Sequence, residues 1–509
     1  MPMPGFSILT DVLEFRAKSV PDQVAFSFEE KKYTYGWLYR EARQTAAHLV
    51  DTGIRKGDRV LLAIPNGPAF FPAFFGCMWA GAIAVPVFPG AGPERLAHYE
   101  GLCGSRLTLG PDLFGTGKVS GPGLLPEVAA DDIAFIQYTS GSTSDPKGVQ
   151  ISHAGLLTNI RQLIAGMEIN DQDIFVSWLP VYHDMGLILM ALVPFYLGIK
   201  LVLLPSSLRQ VHTWLRALER HRGTFTAAPD LAYRLAVAWR NADHPYDLSS
   251  LRVALNAAEP VRLSTILEFE EAFGIRHIMT AGYGLAEATV GVCMSAPGRP
   301  PKTDPAGHVS VGHPFPGISL AILKDERLAA TGETGEILIK SPANTPGYFN
   351  NPAGTLALYW EKEYIRTGDI GYLDADGRLF VLGRIKQVIK VGGRSLYAAD
   401  LEESIDGHPN IRHAAALGLE GKDGEGEALY LFVETRWHRT PERAVCKDLV
   451  IEIIQHIHDR FGVRPARVYL LRAKTIPFTF NGKKQHGLLK QWWSEGKLRK
   501  GNTVIYPDY

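Results

Sequence analysis

Cysteine is scarce in this 509-residue chain, and neither sign of charge prevails. The four cysteines, Cys77, Cys103, Cys293 and Cys446, are widely scattered and lack the spacing of metal ligands, which predicts reduced packing residues of a cytoplasmic protein. Lysine and arginine together number 53, and so do aspartate and glutamate together. The protein therefore has no overall electrostatic field that would favour nucleic acid or an anionic membrane. The composition therefore predicts no nucleic-acid partner.

A long apolar run is also missing. The longest one, Leu187–Leu197, is interrupted by Pro194 and is much shorter than the roughly 20 residues that a membrane-spanning helix requires. The N-terminus lacks a basic segment followed by an apolar core, so no secretory signal is visible. We therefore expect a soluble chain without integral membrane association.

Apolar sequence is nevertheless abundant, since 46% of the residues are hydrophobic, which is enough for more than one domain. Strand-like runs such as Val60–Ile64 and Leu201–Leu204 alternate with segments of helical period, and this alternation predicts α/β layers. Glycine and proline are frequent between Ser105 and Ala130, where the pattern is weak. We predict a surface connection there rather than a core element.

The pattern changes after Gly383, where the predicted elements become shorter. It indicates a small α+β domain of about 120 residues. Strands are predicted at Val388–Val391, Ala414–Leu417 and Leu429–Glu434. A helix is predicted to follow, with an apolar face formed by Leu449, Val450, Ile453, Ile454, Ile457 and Phe461.

The segment Tyr138–Gly148 combines the features that bind the phosphates of a nucleotide. The apolar run Ile133–Gln137 predicts a strand leading into it, its glycines let the backbone approach an anion closely, and Lys147 adds a positive charge. Hydroxyl groups are supplied by Ser140, Ser142 and Thr143. Ser152 is predicted to cap the helix that follows. The spacing is not that of a P-loop, and the alternative is a solvated Ser/Gly linker.

This segment resembles the signature loop of the adenylate-forming superfamily, which includes acyl-CoA synthetases, luciferases, peptide-synthetase adenylation domains and fatty acyl-AMP ligases. Four further segments resemble other motifs of the superfamily in its order, and together the motifs cover essentially the whole chain. These segments are Tyr283–Glu287, Thr367–Asp369, Gly383–Arg384 and Pro477–Lys483. The alternative for an isolated residue such as Tyr283 or Asp369 is an ordinary turn residue.

The resemblance implies ATP and Mg²⁺ as cofactors. It implies that Tyr283 stacks on adenine, that Glu287 helps to hold magnesium, and that Asp369 accepts hydrogen bonds from the ribose. The implied nucleotide-binding residues are Thr139, Ser140, Gly141, Ser142, Thr143, Lys147, Ala258, Glu259, Gly282, Tyr283, Gly284, Asp369 and Arg384. The implied catalytic residues are Lys483, His183 and Glu287, of which Glu287 is also the metal ligand.

The same resemblance implies the domain organisation. Residues 1–383 would form an N-terminal adenylation domain with several subdomains, and residues 384–509 a small, mobile α+β lid with its hinge at Lys386. Lys483 would neutralise charge while the carboxylate attacks the α-phosphate and would then withdraw. The loop around Gly392 and Gly393 would come forward for thioester formation.

The segment Trp178–Leu187 is similar to the corresponding segment of fatty acyl-AMP ligases. The resemblance assigns His183 to gating or to the acyl pocket, whereas the alternative is a satisfied core histidine. Asp184 occupies a position at which peptide-synthetase domains pair an aspartate with a substrate amine, but fatty acyl-AMP ligases share it. The implied substrate residues are His183, Asp184, Ala228, Pro229, Asn256, Ala257 and Gly282.

Small side chains in this set favour an apolar acyl group. We expect an ATP-dependent ligase that activates a carboxylic acid, in the first place a fatty acid, and transfers the acyl group to the phosphopantetheine thiol of an acyl carrier protein. CoA is the alternative acceptor, because fatty acyl-AMP ligases usually carry an insertion, associated with refusing CoA, where this chain joins Gly347–Phe349 to Arg366–Asp369 by a short segment. Amino-acid adenylation for a peptide-synthetase carrier protein is the further alternative.

Two further features lie near the C-terminus. His486 stands where many relatives have arginine, close to the segment with Lys483. Basic residues also cluster there, which predicts a docking surface for an acidic carrier protein, the alternative being a solvated face. These basic residues are Arg464, Arg467, Arg472, Lys474, Lys484, Lys490, Lys497, Arg499 and Lys500.

Overall fold

The computed structural model describes residues 5–111, 125–139, 146–207, 210–240, 245–420, 426–478, 484–500 and 503–507. The chain forms two compact units. The first unit comprises Met1–Thr139, Lys147–Thr367 and Tyr372–Phe380. The second unit contains Gly368–Gly371 and Val381–Tyr509.

The helices of the first unit are separated mostly by single strands. They are α1 (Leu9–Ser19), α2 (Tyr35–Asp51), α3 (Phe70–Trp79), α4 (Pro93–Cys103), α5 (His153–Gly166), α6 (Val193–Leu197), α7 (Val211–His221), α8 (Asp230–Ala238), α9 (Leu263–Phe273) and α10 (Pro352–Leu358). A π-helix, Met185–Leu192, precedes α6, and a short 3-10 helix is formed by Ala286–Ala288.

The strands in this part of the chain are short, except for one strand that is ten residues long. They are β1 (Val24–Phe28), β2 (Lys31–Thr34), β3 (Arg59–Leu62), β4 (Ile83–Pro86), β5 (Leu107–Leu109), β6 (Ile133–Tyr138), β7 (Gly148–Ser152), β8 (Ile174–Ser177), β9 (Lys200–Leu203), β10 (Phe225–Ala228), β11 (Val253–Asn256), β12 (Met279–Tyr283), β13 (Cys293–Met294), β14 (His313–Pro314), β15 (Ser319–Lys324), β16 (Arg327–Leu328), β17 (Gly335–Lys340), β18 (Tyr359–Trp360), β19 (Tyr364–Leu373) and β20 (Leu379–Arg384).

These strands form three sheets. The largest has the order β14-β13-β12-β11-β10-β8-β9-β1-β2, and its central pairs, from β12 to β1, are parallel. The second has the order β5-β3-β4-β6-β7 and is parallel except for the β6–β7 hairpin. The third has the order β16-β15-β17-β19-β18, with β20 paired to β19. Helices that alternate with parallel strands confirm the predicted α/β class.

One prediction for this unit is wrong. The segment after Ser105 is not only a surface connection, because Leu107–Leu109 forms strand β5 and pairs in parallel with β3, with Leu109 buried. Pairing with a strand already in place, rather than local pattern, makes this short segment part of a sheet. Residues 112–124 of the same segment lie outside the described ranges.

The second unit is built around one antiparallel hairpin and one mixed sheet. Its elements are a 3-10 helix (Ile385–Gln387), β21 (Val388–Val391), β22 (Arg394–Tyr397), α11 (Ala398–Asp406), β23 (Ile411–Glu420), β24 (Glu427–Thr435), α12 (Arg443–Phe461), β25 (Arg467–Leu471), α13 (His486–Ser494), α14 (Lys497–Lys500) and β26 (Val504–Tyr506). The strands predicted at Val388–Val391, Ala414–Leu417 and Leu429–Glu434 and the helix predicted to follow them are all confirmed.

The mixed sheet, β23-β24-β25-β26, is buried on both faces. Ala414 and Ala416 of β23 face one core, into which α11 and α12 pack, while Ala415 and Leu417 face a second core that contains Leu489 of α13. This alternation of side chains along a strand explains why its sequence is apolar at successive positions.

All four cysteines are buried and none forms a disulfide, as the sequence analysis predicted. Burial raises the pKa of the Cys77 thiol to about 12 and also raises that of Cys293. Among the described residues, no helix is both long and apolar enough to cross a bilayer. Within the same ranges, no group of three or more His, Cys, Asp or Glu side chains is arranged to hold a metal ion.

Candidate functional site

The predicted phosphate-binding segment connects the two strands of a hairpin. Tyr138 of β6 pairs with Gly148 of β7, and the Thr139 N–H donates to the carbonyl of Lys147 over 3.1 Å. Ser152 then caps α5 as predicted, because its side chain accepts from the Gly155 N–H at 3.1 Å. The second strand of the hairpin is not apparent in the sequence pattern. The predicted residues Ser140, Gly141, Ser142 and Thr143 lie outside the described residues.

Lys147 and Glu287, two predicted site residues, both contact one tyrosine. The Lys147 ammonium lies 4.4 Å from the centre of the Tyr348 ring, a cation–π distance. The Tyr348 hydroxyl donates to Glu287 Oε1 over 2.8 Å. In the sequence Tyr348 is only part of a motif, and its contacts with a cation and a carboxylate become apparent in the structure.

Backbone pairing brings Tyr348 to the hairpin. The Phe349 N–H donates to the Gly148 carbonyl at 2.8 Å, and the Gln150 N–H donates to the Gly347 carbonyl at 3.1 Å. The Thr345 N–H donates to the carbonyl of Glu287 at 2.8 Å. These bonds attach the segment Thr345–Phe349 both to β7 and to the short helix that carries Glu287.

The end of β12 places Tyr283 next to this helix. Tyr283 is half-buried, and Gly284 follows it in a turn so close that a Cβ at this position would lie 1.8 Å from the Val290 carbonyl oxygen. Only glycine fits such an approach of two backbone segments. The Tyr-Gly pair therefore has a steric reason that is independent of any ligand.

Predicted residues around Asn256 face different ways. Asn256 is fully buried and donates from Nδ2 to Oδ1 of Asp230 at 2.9 Å, so it faces α8. A Cβ at Gly282 would instead meet Leu255 at 2.7 Å and Ala257 at 3.5 Å. Leu255 thus occupies the space beside Gly282, and successive residues of β11 point to opposite faces of the sheet.

The turn after β11 carries two residues predicted to bind nucleotide. Ala258 is exposed and has a φ of +71°, the left-handed region that non-glycine residues seldom adopt. The next residue, Glu259, accepts from the Leu231 N–H of α8 at 3.1 Å. Ala228 ends β10, and Pro229 is the N-cap residue of α8. These residues therefore lie at the carboxyl ends of two adjacent parallel strands, where open α/β sheets commonly bind ligands.

His183 and Asp184 form an ion-pair geometry of their own. His183 Nδ1 lies 2.5 Å from Asp184 Oδ1, and the same carboxylate accepts from the Met185 N–H at 2.7 Å, at the start of the π-helix. Both side chains are partly exposed. The Asp184 carboxylate therefore already contacts the His183 ring and a helix N–H. A substrate amine would have to compete with these two contacts.

Two buried amides hold the turn before His183. Asn66 donates to the carbonyls of Leu179 and Leu204 and accepts from the Val181 N–H, at 2.9 to 3.0 Å. Gln137 of β6 donates to the Tyr182 carbonyl at 2.9 Å. The strand that leads into the phosphate segment is thus bonded directly to the residue before His183. Neither amide was singled out in the sequence.

In the second unit, two predicted nucleotide-binding residues form an ion pair. Arg384 Nε lies 2.8 Å from Asp369 Oδ1. Lys386 lies on the exposed 3-10 helix that follows. Gly392 and Gly393 form the two-residue turn between β21 and β22 with φ of +56° and +77°, which only glycine and a few other residues adopt readily.

The predicted catalytic Lys483 lies outside the described residues, whereas its neighbours are described. Lys484 is 2.7 Å from the buried Glu402, and Lys490 donates to the Gly418 carbonyl at 2.9 Å. Lys497 pairs with Glu495 at 2.6 Å. The predicted basic surface is therefore wrong in part, because Lys484 is directed to an internal partner instead of solvent.

The chain is similar to known proteins over most of its length. A model of AMP-binding enzymes matches residues 13–119 and 117–349. The medium-chain-fatty-acid–[acyl-carrier-protein] ligase JamA of Moorena producens is 31% identical over 98% of this chain and 97% of its own. A structure of fatty acyl-adenylate ligases from E. coli and L. pneumophila is 27% identical, with a TM-score of 0.87, over 98% of this chain and 100% of that one.

A second structure is similar over nearly the same length. It is the A-PCP of McyG complexed with phenylalanyl-adenylate, 25% identical, with a TM-score of 0.84, over 97% of this chain and 96% of that one.

Proposed function

Because the chain belongs to the family of AMP-binding, adenylate-forming enzymes, we propose that it activates a fatty acid with ATP and transfers the acyl group to the phosphopantetheine thiol of an acyl carrier protein. The resemblance to this superfamily, and within it to fatty acyl-AMP ligases, is confirmed. The chain is a ligase of this class, and ATP is the nucleotide that AMP-binding enzymes use.

The observation that carries the proposal is the group Lys147, Tyr348 and Glu287. It places a cation and a carboxylate, joined through one ring, at the base of the segment Thr139–Lys147. Lys147 supplies positive charge for phosphate oxygens, and Glu287 supplies a hard oxygen ligand. Polyphosphate binding needs both kinds of group.

Mg²⁺ fits this group. Magnesium in such sites is held by one or two carboxylates together with phosphate oxygens rather than by an all-protein cage. Glu287 gives one carboxylate, and the single hydrogen bond from Tyr348 uses one of its several lone pairs. When bound, magnesium would offset the negative charge of the phosphates.

In the first half-reaction, a carboxylate oxygen of the fatty acid attacks the α-phosphate of ATP, and pyrophosphate leaves. Lys147 would hold the departing phosphates, and we propose that Lys483 neutralises the charge at the reacting phosphate. In the second half-reaction, a thiolate attacks the acyl carbonyl and AMP leaves. The first half-reaction depends on charge stabilisation, so cationic residues should affect it most.

The pair His183–Asp184 supports a fatty acid over an amino acid. An aspartate that binds a substrate amine must present its carboxylate to that amine, but Asp184 already accepts from Met185 and contacts His183. The similar protein JamA is named as a medium-chain fatty acid ligase. The similar McyG structure contains phenylalanyl-adenylate, so an amino acid remains the alternative substrate.

CoA is the second candidate acceptor. Between Phe349 and Arg366, where fatty acyl-AMP ligases usually carry an insertion, this chain forms only α10, β18 and the start of β19. JamA is named for an acyl-carrier-protein acceptor, and this favours a carrier protein here. The short connection favours CoA.

We also propose that residues 384–509 act as a lid that moves about Lys386 between the half-reactions, with Gly392 and Gly393 serving the second one. The left-handed glycine turn between β21 and β22 forms a tight, exposed loop tip, which supports that use. A cytoplasmic location is supported by four buried thiols that form no disulfide.

The deciding experiment is single-turnover transfer from a labelled acyl-adenylate, offered either CoA or a phosphopantetheinylated carrier protein. Fatty acids of medium to long chain would first be screened by ATP–pyrophosphate exchange. We expect exchange with fatty acids and faster transfer to the carrier protein. Faster transfer to CoA would make the chain a CoA ligase, and no exchange with any carboxylic acid would refute adenylation.

A further inference from the structure

A buried carboxylate in the second unit binds two basic side chains. Glu402 of α11 is only 5% exposed, and its Oε2 lies 2.7 Å from Lys484 Nζ while its Oε1 lies 2.6 Å from His486 Nε2. Oε1 also accepts from the Ala416 N–H of β23 at 2.9 Å. Burial alone would raise the pKa of Glu402, but the charges of Lys484 and His486 outweigh it and hold this pKa at about 2.

Lys484 and His486 stand directly after the segment that contains the predicted catalytic lysine. The two described ends of that segment pair with each other, because Phe478 and Lys484 form an antiparallel bridge. The Gln485 N–H donates to the Pro477 carbonyl at 2.9 Å. Pro477, Phe478, Lys484 and Gln485 thus form the base of this loop. Glu402 binds the C-terminal end of the loop base through two side chains.

The other end of the loop base is held by a second buried glutamate. Oε1 of Glu434 accepts from the Ile476 N–H at 2.6 Å, one residue before Pro477. This contact is to the backbone, so any acceptor of the same shape could make it. The contacts of Glu402 are with charged side chains, and these require a carboxylate to be fully satisfied.

His486 also reaches the segment around the proposed hinge residue. Its Nδ1 lies 3.1 Å from Nε2 of Gln387, the residue after Lys386. The ring contacts Glu402 through Nε2 and the Gln387 amide through Nδ1. One imidazole thus joins the hinge segment, α11 and the loop base.

We propose that Glu402 is a positioning residue for acyl-adenylate formation, which acts by binding Lys484 and His486, the described residues that follow Lys483 in the chain. This inference rests on the proposed function. A reacting group must be held within a fraction of an ångström, and a small misplacement costs about 10²-fold in rate. Loss of one partner also leaves buried cations uncompensated. Glu402 would therefore act on the first half-reaction only.

The test compares Glu402→Gln with the parental enzyme in each half-reaction. Glutamine keeps the size and one acceptor oxygen but removes the negative charge. We expect adenylate formation to slow by roughly 10- to 100-fold in kcat, with KM for ATP and fatty acid nearly unchanged. Transfer from supplied acyl-adenylate to the thiol acceptor should keep its parental rate. Equal slowing of both half-reactions, or no slowing, would overturn the proposal.

Two variants control for general damage. Glu442→Gln makes the same chemical change at an exposed residue before α12, and it should leave both rates unchanged. His486→Arg keeps a positively charged donor at Glu402, so it should retain adenylation. A slow His486→Arg variant alongside an unaffected Glu402→Gln variant would contradict the assignment.

Amide hydrogen exchange tests the contact itself without any activity. Residues 484–487 should exchange faster in Glu402→Gln than in the parental chain, and exchange in β24 should not change. If the parental chain forms no adenylate, the proposed function fails, while faster exchange would still support the anchoring contact. Equal exchange in the two chains would remove the physical basis of the proposal.

Discussion

Tyr348 donates its hydroxyl hydrogen to Glu287 over 2.8 Å while its ring lies 4.4 Å from the ammonium of Lys147. The two residues of the hydrogen bond are 61 positions apart in sequence. Tyr348 therefore orients the Glu287 carboxylate through its hydroxyl group and contacts the Lys147 ammonium with its ring. This arrangement leads to two separate predictions, one for each partner of the bond.

Glu287→Gln should raise the magnesium requirement. An amide is a weaker ligand for a hard cation than a carboxylate, so the variant should need more metal to reach half-maximal pyrophosphate exchange. The measurement is a magnesium titration at fixed ATP. Glu363→Gln, which changes an exposed carboxylate paired with Lys340, serves as the control. An unchanged titration for Glu287→Gln would argue against Glu287 as the metal ligand.

Tyr348→Phe should weaken use of magnesium-ATP by roughly tenfold, because it removes one hydrogen bond to a charged group, worth about 1.5 kcal/mol. The ring under Lys147 is retained, so the change isolates the hydroxyl. KM for ATP is the quantity to measure. The matched control is Tyr364→Phe, since Tyr364 also lies under a lysine, Lys340, at 6.0 Å. Similar effects in both variants would refute a specific role.

Lys483→Ala should abolish acyl-adenylate formation and spare thioester formation from supplied acyl-adenylate. Losing one donor to the charge that develops at the phosphate costs about 3 to 4 kcal/mol. Rapid-quench assays of each half-reaction measure the two steps separately. Lys324→Ala, which removes a lysine paired with Glu333, is the control. Adenylate made at the parental rate would show that the loop assignment is wrong.

Asp184→Ala should not change the class of substrate that the enzyme activates. We expect medium- to long-chain fatty acids to drive pyrophosphate exchange and free amino acids to fail, in both the parental and the variant enzyme. The variant loses the contact with His183 and the bond to Met185, so its rate with fatty acids should fall. Exchange driven by an amino acid and lost in Asp184→Ala would place the chain in the amino-acid-activating branch.

Acid should destabilise the first unit through His153. Burial lowers the pKa of this histidine from its usual 6.5 to about 4, although Asp132 opposes the shift. Between these pH values the unfolded chain binds the proton and the folded chain does not, so stability falls as the pH decreases from 6.5 to 4. His153→Gln should flatten this part of the melting-temperature profile. The exposed His98→Gln should not, and identical profiles for both would refute the assignment.

The parts of the fold that depend on local pattern were predictable. The strand Val388–Val391 and the cap at Ser152 occur as predicted, because alternation and capping are decided by residues within a few positions. The strand Leu107–Leu109 was missed, since only its pairing with β3 makes it a strand. Local sequence contains no sign of such a distant partner.

The candidate site shows the same difference between features set by local sequence and features set by distant contacts. Motifs identified Lys147 and Glu287 separately, but not Tyr348 between them. The contact between Glu402 and His486 joins residues 84 positions apart. The opposite orientations of Asn256 and Gly282 follow from strand register. A motif indicates which chemical groups are present, whereas the fold decides which of these side chains contact one another.

The burial of every native cysteine makes the chain unreactive toward thiol-directed dyes. All four thiols are at most 1% exposed, and burial raises the pKa of Cys77, Cys103 and Cys293, so little thiolate is present near neutral pH. A cysteine introduced at Leu356, 82% exposed in the first unit, or at Ile451, 53% exposed in the second, would be labelled selectively in the natural background. Fluorescence transfer between two such labels would follow the proposed lid movement through a catalytic cycle.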